Sequence, residues 1–279
     1  MLILRDAFLH RRRLYGQWRE ALGVPDSVLA ARLRDLVEGG VFVRVPYKSA
    51  PPRQEYRLTE AGLDLWRIMI AIWAWEKRWV DRPAALPPLV HLDCGEETSP
   101  ALICGGCGEE IGARDVVTEV GPGGSLYLTA PPRFRRRSSK ESEPTDPQLL
   151  YPETMAILGD RWSGVVLALA FMGVRRFVDF ESAAGASPTV VNDRLRTLTD
   201  MGVLRRGDGR AYRITDKGLG FFPVLALVID WAGQWLGGDG EPALRLVHGA
   251  CGRQLVPVLR CDRCGVALSR RGVRFVLAE

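Results

Sequence analysis

The stretch "VVNDRLRTLTDMGVLRR", residues 190–206, lies over a second stretch of the same chain, "VLAARLRDLVEGGVFVR", residues 28–44. Both keep R-L-R-x-L followed by G-V. In the later copy Val191, Leu195 and Leu198 form one apolar stripe at helical spacing, and in the earlier copy Leu29, Leu33 and Leu36 do the same, which predicts a short amphipathic helix in each. Ser187-Pro188 opens the second helix with a side-chain cap and a proline at a position where a missing N–H does no harm. Gly202 and Gly40 mark the ends of the two helices.

The repeat continues outward. "EYRLTEAGL", residues 55–63, lies over "AYRITDKGL", residues 211–219, with a shorter connection in the second copy. In copy one, short strand patterns flank the basic, proline-rich "KSAPPRQ". In copy two they flank Asp208-Gly209, a tight-hairpin signal. Helix, helix and a two-stranded wing is the plan of a winged helix. Trp75 and Trp79 pair with Trp231 and Trp235 in the helices that follow, one turn apart, where packing or dimer contact is the expected role.

Each copy then ends in the same group. His91, Cys94, Cys104 and Cys107 are spaced H-x2-C-x9-C-x2-C, and so are His248, Cys251, Cys261 and Cys264; together they take up all six cysteines and two of the three histidines. Each half-group is a [C/H]-x2-C-G knuckle, whose glycine allows the positive φ such turns tend to need. Three thiolates and one imidazole suit tetrahedral, structural zinc with no open position, about two ions per chain. Redox-active dithiols are the alternative chemistry. Each set is expected to close within its own unit as a small zinc-ribbon-like tail, since so short a segment buries too little apolar surface to fold without metal.

The predicted fold class is therefore α+β, predominantly helical: tandem winged helix-turn-helix domains, each followed by a zinc-ribbon-like tail. The expected bounds are 1–82 and 149–238 for the winged helices, 88–120 and 244–279 for the tails, and 130–148 for a flexible linker rich in proline, serine and mixed charge.

A chain of 279 residues, 47% hydrophobic and 25% charged, holds two globular units with cores and is not disordered as a whole. Its net charge of +5 fits a polyanionic partner. The apolar run from Trp162 falls short of the roughly 20 residues that span a bilayer, and no secretory leader is recognisable, so no membrane association and a cytoplasmic location are expected. Walker A, H-E-x-x-H and strand-following G-x-G-x-x-G motifs are lacking, so no enzymatic activity is expected.

At "ILGDRWSGVVLALAFMGVRRFVDF" (residues 157–180), the R-L-R-x-L helix and "PPRQEYRLTEAGLDLW" (residues 51–66), the chain resembles the HxlR-type family of bacterial winged helix-turn-helix transcription regulators. The resemblance implies a repressor or activator that binds double-stranded DNA, in a family that usually works as a homodimer. With two units in one chain, an intramolecular pseudo-dimer is the alternative to that homodimer. A small-molecule effector is a further expected partner. Nothing in copy one corresponds to "ETMAILGDRWSG", so its first helix is expected to be missing or truncated and this unit to be the less stable.

In such a domain the recognition helix presents a few residues to base edges while the wing grips phosphates. That assigns base or groove contact to Thr189, Asn192, Asp193, Arg196 and Thr197 in copy two, and to Ser27 and Arg34 in copy one, where Ala30 and Ala31 replace the polar pair. Arg194 and Arg32, nearer the apolar stripe, are assigned a supporting or phosphate role. The wing candidates are Lys48, Arg53, Arg206 and Arg210. Arg11, Arg12, Arg13, Arg175 and Arg176 form a second basic cluster suited to backbone contact. A metal- or thiol-responsive sensor, in which the Cys/His groups control DNA binding, is the alternative function.

Overall fold

The computed structural model describes residues 1–49, 52–82, 85–121, 151–237 and 244–277; the expected linker, 130–148, lies outside them. In the first half, α1 (Leu2–Leu9), α2 (Tyr15–Leu22) and α3 (Asp26–Glu38) precede the hairpin of β1 (Phe42–Ser49) and β2 (Pro52–Leu58), then α4 (Glu60–Asp64) and α5 (Trp66–Trp79). In the second half, α6 (Pro152–Leu158) comes before α7 (Arg161–Phe171), α8 (Phe177–Ala184) and α9 (Pro188–Asp200). The hairpin of β6 (Leu204–Arg206) and β7 (Tyr212–Ile214) and the helices α10 (Asp216–Leu219) and α11 (Phe222–Leu236) follow.

Local chemistry accounts for these elements. Ser187 caps α9 by accepting from Val190 N–H, with Pro188 in the first turn. Val191, Leu195 and Leu198 are buried, as are Leu29 and Leu33 of α3. Gly40 and Gly202 both take φ +70°, the left-handed turn from helix to wing. Thr59 and Thr215 cap the next helix from its third N–H, at 3.0 and 3.1 Å. The adjoining Gly62 and Gly218 lie so close to the Val41 and Val203 carbonyls that a Cβ would stand 2.1 and 2.3 Å from the oxygen. The first wing differs from expectation: β1 and β2 run on through most of "KSAPPRQ", Lys48 opposite Arg53. A two-stranded ribbon has two open edges, so Pro46 and Pro52 remove no ladder bond that another strand needs.

A pseudo-twofold relation joins the halves. Trp75 donates from Nε1 to the Lys217 carbonyl at 3.0 Å, and Trp231, its counterpart, donates to Ala61 at 2.8 Å, the counterpart of Lys217. Trp79 lies against Gly220, and Trp235 reaches the Asp64 carboxylate at 3.2 Å. The tryptophan pairs thus fix α5 against α11 and the α10 turn. Arg67 adds an unsymmetrical link, bonding Asp64 at 2.6 Å and Asp230 at 2.9 Å.

The α10–α11 stretch, Asp216–Leu236, is the longest apolar helical run among the described residues, and its 21 residues suffice by length and composition to cross a membrane. It exceeds the run from Trp162, on whose shortness the expectation of no membrane association rested. Here Val224, Ala226 and Leu227 are buried, and Trp231 bonds the first half.

The cores are unequal. Ile3, Trp18, Leu22, Leu29, Leu33, Val41 and Phe42 form a small cluster under the first wing. The buried residues of α5 instead share one large cluster with the second half and the strands that follow. Helix α6, which has no counterpart among the described residues of the first half, docks on α5: Thr154 gives its N–H and hydroxyl to the buried Glu76 carboxylate at 3.0 and 2.7 Å. Arg82 closes the arrangement, 2.8 Å from Glu76 and stacked over Tyr151.

Candidate nucleic-acid interface and metal centres

After each helical half come short strands: β3 (Leu89–His91), β4 (Ala101–Cys104) and β5 (Val116–Val120), then β8 (Leu244–His248), β9 (Arg253–Gln254), β10 (Pro257–Arg260) and β11 (Val273–Phe275). Most of their pairing is between halves. Strand β4 pairs antiparallel with β10, Leu102 opposite its own counterpart Leu259. Strand β11 pairs with β3, and β5 pairs with β8; Val273 faces His91 in one ladder and Val116 faces His248 in the other.

This exchange regroups the metal ligands. His91 and Cys94 meet Cys261 and Cys264, while Cys104 and Cys107 meet His248 and Cys251, each set having its ligand atoms within 4.8 Å of one another. The expected within-unit sets, His91–Cys107 and His248–Cys264, do not form. Each unit keeps its two knuckles but aims them at different sites, because β4 and β10 lie across the pseudo-twofold and carry the second knuckle of each unit beside the first knuckle of the other.

The geometry fits a tetrahedral ion. Metal–ligand lengths for zinc imply edges of about 3.8 Å between sulfurs and about 3.6 Å from sulfur to nitrogen. Cys94 Sγ is 3.9 Å from Cys261 Sγ, and His91 Nδ1 is 3.4 Å from Cys94 and 3.3 Å from Cys264. His248 Nδ1 stands 3.3 Å from Cys107 and 3.4 Å from Cys251. Gly95, Gly108, Gly252 and Gly265, one after each knuckle, all have φ between +64° and +81°. Burial pushes the Cys261 thiol up, yet hydrogen bonds from Thr98 and from the Cys264 and Arg263 N–H groups bring it down to about 6. The Cys104 thiol comes to about 7 by the same balance, with Gly106 and Cys107 N–H as donors. One thiolate in each set is therefore available near neutral pH, while the neighbouring Cys107 and Cys264 thiols are pushed up beside it.

The expected DNA-facing residues lie on α3, α9 and the hairpins. Thr189, Asn192 and Arg196 are exposed on α9; Asp193 and Thr197 are half-buried, and the Thr197 hydroxyl donates to the Asp193 carbonyl at 2.9 Å. On α3, Ser27 and Arg34 are exposed, with Ala30 and Ala31 half-buried between them. Lys48 and Arg53 are exposed across the first wing, and Arg206 lies 5.6 Å over the Tyr212 ring. Arg210 belongs to the turn Asp208–Arg210.

Several arginines have other duties. Arg194 makes a bidentate bond to Asp160, at 2.7 and 2.9 Å, and Asp160 also caps α7 through the Trp162 and Ser163 N–H groups. Helix α9 is thereby tied to the start of α7; the expectation for Arg194 is a supporting or phosphate role, and none is assigned to Asp160. An acidic residue just before a helical run was the available signal. Arg175 donates to the Ala170 and Val174 carbonyls at 2.6 and 2.9 Å, and Arg12 pairs with the buried Asp6. Both are withdrawn from the second basic cluster, leaving Arg11, Arg13 and Arg176 exposed.

The family model for HxlR-like helix-turn-helix domains matches residues 1–84 and again 157–239, and the chain belongs to that family. The chain is similar to an uncharacterized HTH-type transcriptional regulator, Rv3095, of Mycobacterium tuberculosis, 52% identical over 131 residues, which is 47% of this chain and 82% of the relative. It is 36% identical over 83 residues to the HTH-type transcriptional regulator sll1512 of Synechocystis, covering 29% of this chain and 61% of that one. Among solved structures, that of PA1607, described as a transcription factor, covers 44% of this chain and 89% of its own at 29% identity and a TM-score of 0.39.

Proposed function

We propose that this chain is a sequence-specific, double-stranded-DNA-binding transcriptional regulator in which two unlike winged helices act as an intramolecular pseudo-dimer, with two zinc ions as structural clamps. The observation that carries this reading is the pair of equivalent helices, α3 and α9, each presenting an exposed polar or basic face within a family-matched segment. Relatives named as transcriptional regulators support it. The match to the mycobacterial relative also runs longer than either family-model segment, so it takes in more than the winged helix.

The two faces offer different chemistry. Asn192 suits bidentate pairing with adenine and Arg196 suits guanine or a phosphate, whereas copy one offers Ser27, Arg34 and two alanine methyls. Lys48, Arg53, Arg206 and Arg210 are the proposed phosphate contacts. For the metal, His91, Cys94, Cys261 and Cys264 would hold one ion and Cys104, Cys107, His248 and Cys251 the other. A fully ligated ion of this kind supplies cohesion and no reactive position.

Selection of the full chain against a random duplex library tests the reading. The expected product is a two-part site with unlike halves. Failure to enrich any sequence would overturn DNA recognition, and a perfect palindrome would overturn the use of two unlike helices by one chain.

A further inference from the structure

The pseudo-twofold makes each half a control for the other, and one position breaks the relation sharply. On the α5 side, Trp73 is fully buried, stands edge-on to Phe275 at 5.4 Å between ring centres, and donates from Nε1 to the Pro87 carbonyl at 3.0 Å. Lys77, one turn on, sits 5.0 Å over the Trp73 ring and pairs with Glu97. The counterparts in the second half are Ile229 for Trp73, Thr118 for Phe275, Gly233 for Lys77 and Gln254 for Glu97. Two rings, an ammonium and a carboxylate are thus absent, while the surrounding frame of helix and strands is retained.

A cleft of about 330 Å³ lies at that place, lined by Ile229, Asp230, Gly233, Leu244, Gln254 and Leu255 among others. That volume is within the range of small-molecule sites. A Cβ on Gly233 would meet nothing within 4 Å, so the start of the path that the Lys77 stem takes in the other half is open here. The polar side chains that line it are the Asp230 carboxylate and the Gln234 and Gln254 amides, which can both donate and accept. Asp230 and Asp64 share the single guanidinium of Arg67, which leaves one negative charge beside the cleft.

We propose that the cleft between α11 and β8–β10 binds a small planar aromatic molecule bearing an amine, which takes the place that Trp73 and Lys77 fill on the other side. The ring lies against Ile229, Leu244 and Leu255, and the ammonium faces Asp230 and Gln254. The site sits where α11 meets the strands that carry His248 and Cys261, so a ligand there bears on the joint between helical and metal-bound parts.

Calorimetric titration of the full chain with tryptamine, and with indole as the uncharged counterpart, tests the assignment without reference to DNA. Saturable binding of one tryptamine per chain, tighter than indole, is expected. Ile229→Trp should rebuild the plug and weaken both ligands by at least about tenfold. Gly233→Lys, which has space for its side chain, should abolish the preference for tryptamine and serves as the reading should Ile229→Trp fail to fold by circular dichroism. Absence of saturable binding at millimolar ligand would overturn the proposal, as would wild-type affinity and preference in the folded variants.

Discussion

Cys94 and Cys261, 167 residues apart in the chain, bring their sulfurs to 3.9 Å and so belong to one candidate ligand set shared between the two halves. With the reciprocal site around Cys104 and His248, and with three ladders crossing between halves, the pseudo-dimer is interlocked as well as packed.

Cutting the chain between the halves should therefore not separate them. With a protease site introduced inside residues 130–148, the nicked protein should elute as one species and come apart only on chelation at mild denaturant. Size-exclusion chromatography of the nicked form checks this, and free halves without chelator would contradict the crossed pairing.

Cys107→Ser should lower zinc content from about two ions to about one, and the loss should register in the other half. Its partners are His248 and Cys251, so amide exchange should rise in β8 while β3, next to the intact set of His91, stays protected. Exchange confined to residues 89–111 would instead favour closure within the unit.

Asp160→Ala removes a helix cap and the Arg194 anchor together and should destabilise the second winged helix by about 1–2 kcal/mol at neutral pH. Burial pushes the Asp160 carboxyl up, but Arg194 and the Ser163 N–H outweigh it and hold it below the usual carboxylate range. A depressed folded-state value means that the stabilisation is complete above the unfolded value, near 3.9, and fades as pH falls through the folded one. The gap between wild type and variant in urea midpoint should accordingly be constant from about pH 5 upward and narrow progressively as pH falls below the unfolded carboxylate value.

Asn192→Ala and Lys48→Ala should fail differently on DNA. The first should relax preference at one half-site, with a loss of about 1–3 kcal/mol for the preferred base pair. The second should weaken all sequences alike and reduce the salt slope by about one. Fluorescence titration at several salt concentrations separates them.

The duplicated helices, their stripes and the capping Ser187 were legible because each depends on spacing within about ten residues. The metal pairing was not. H-x2-C and C-x2-C occur identically in both halves, so the pattern is the same whether a knuckle meets its neighbour or its neighbour's counterpart. What decides is the Leu102–Leu259 ladder, a contact between strands of four residues too short to announce a partner. Arg194 shows a related limit: its position on α9 suggested a supporting or phosphate role without deciding between them, and only the fold reveals that Asp160 stands opposite. The Trp73–Ile229 difference was present in the sequence, yet carries meaning only once the two helices are known to occupy equivalent places.

The interlocked strands also impose an order on synthesis. The first knuckle, His91 and Cys94, leaves the ribosome 167 residues before Cys261, a delay on the order of ten to thirty seconds at usual elongation rates. Until Cys251 is made no complete ligand set exists in the nascent chain; the set of His91 waits longer, for Cys264, and β3 waits for β11, the last strand among the described residues. Both ligand sets are thus completed only near the end of synthesis, and a polypeptide interrupted anywhere before residue 261 is left with at most half of its first site.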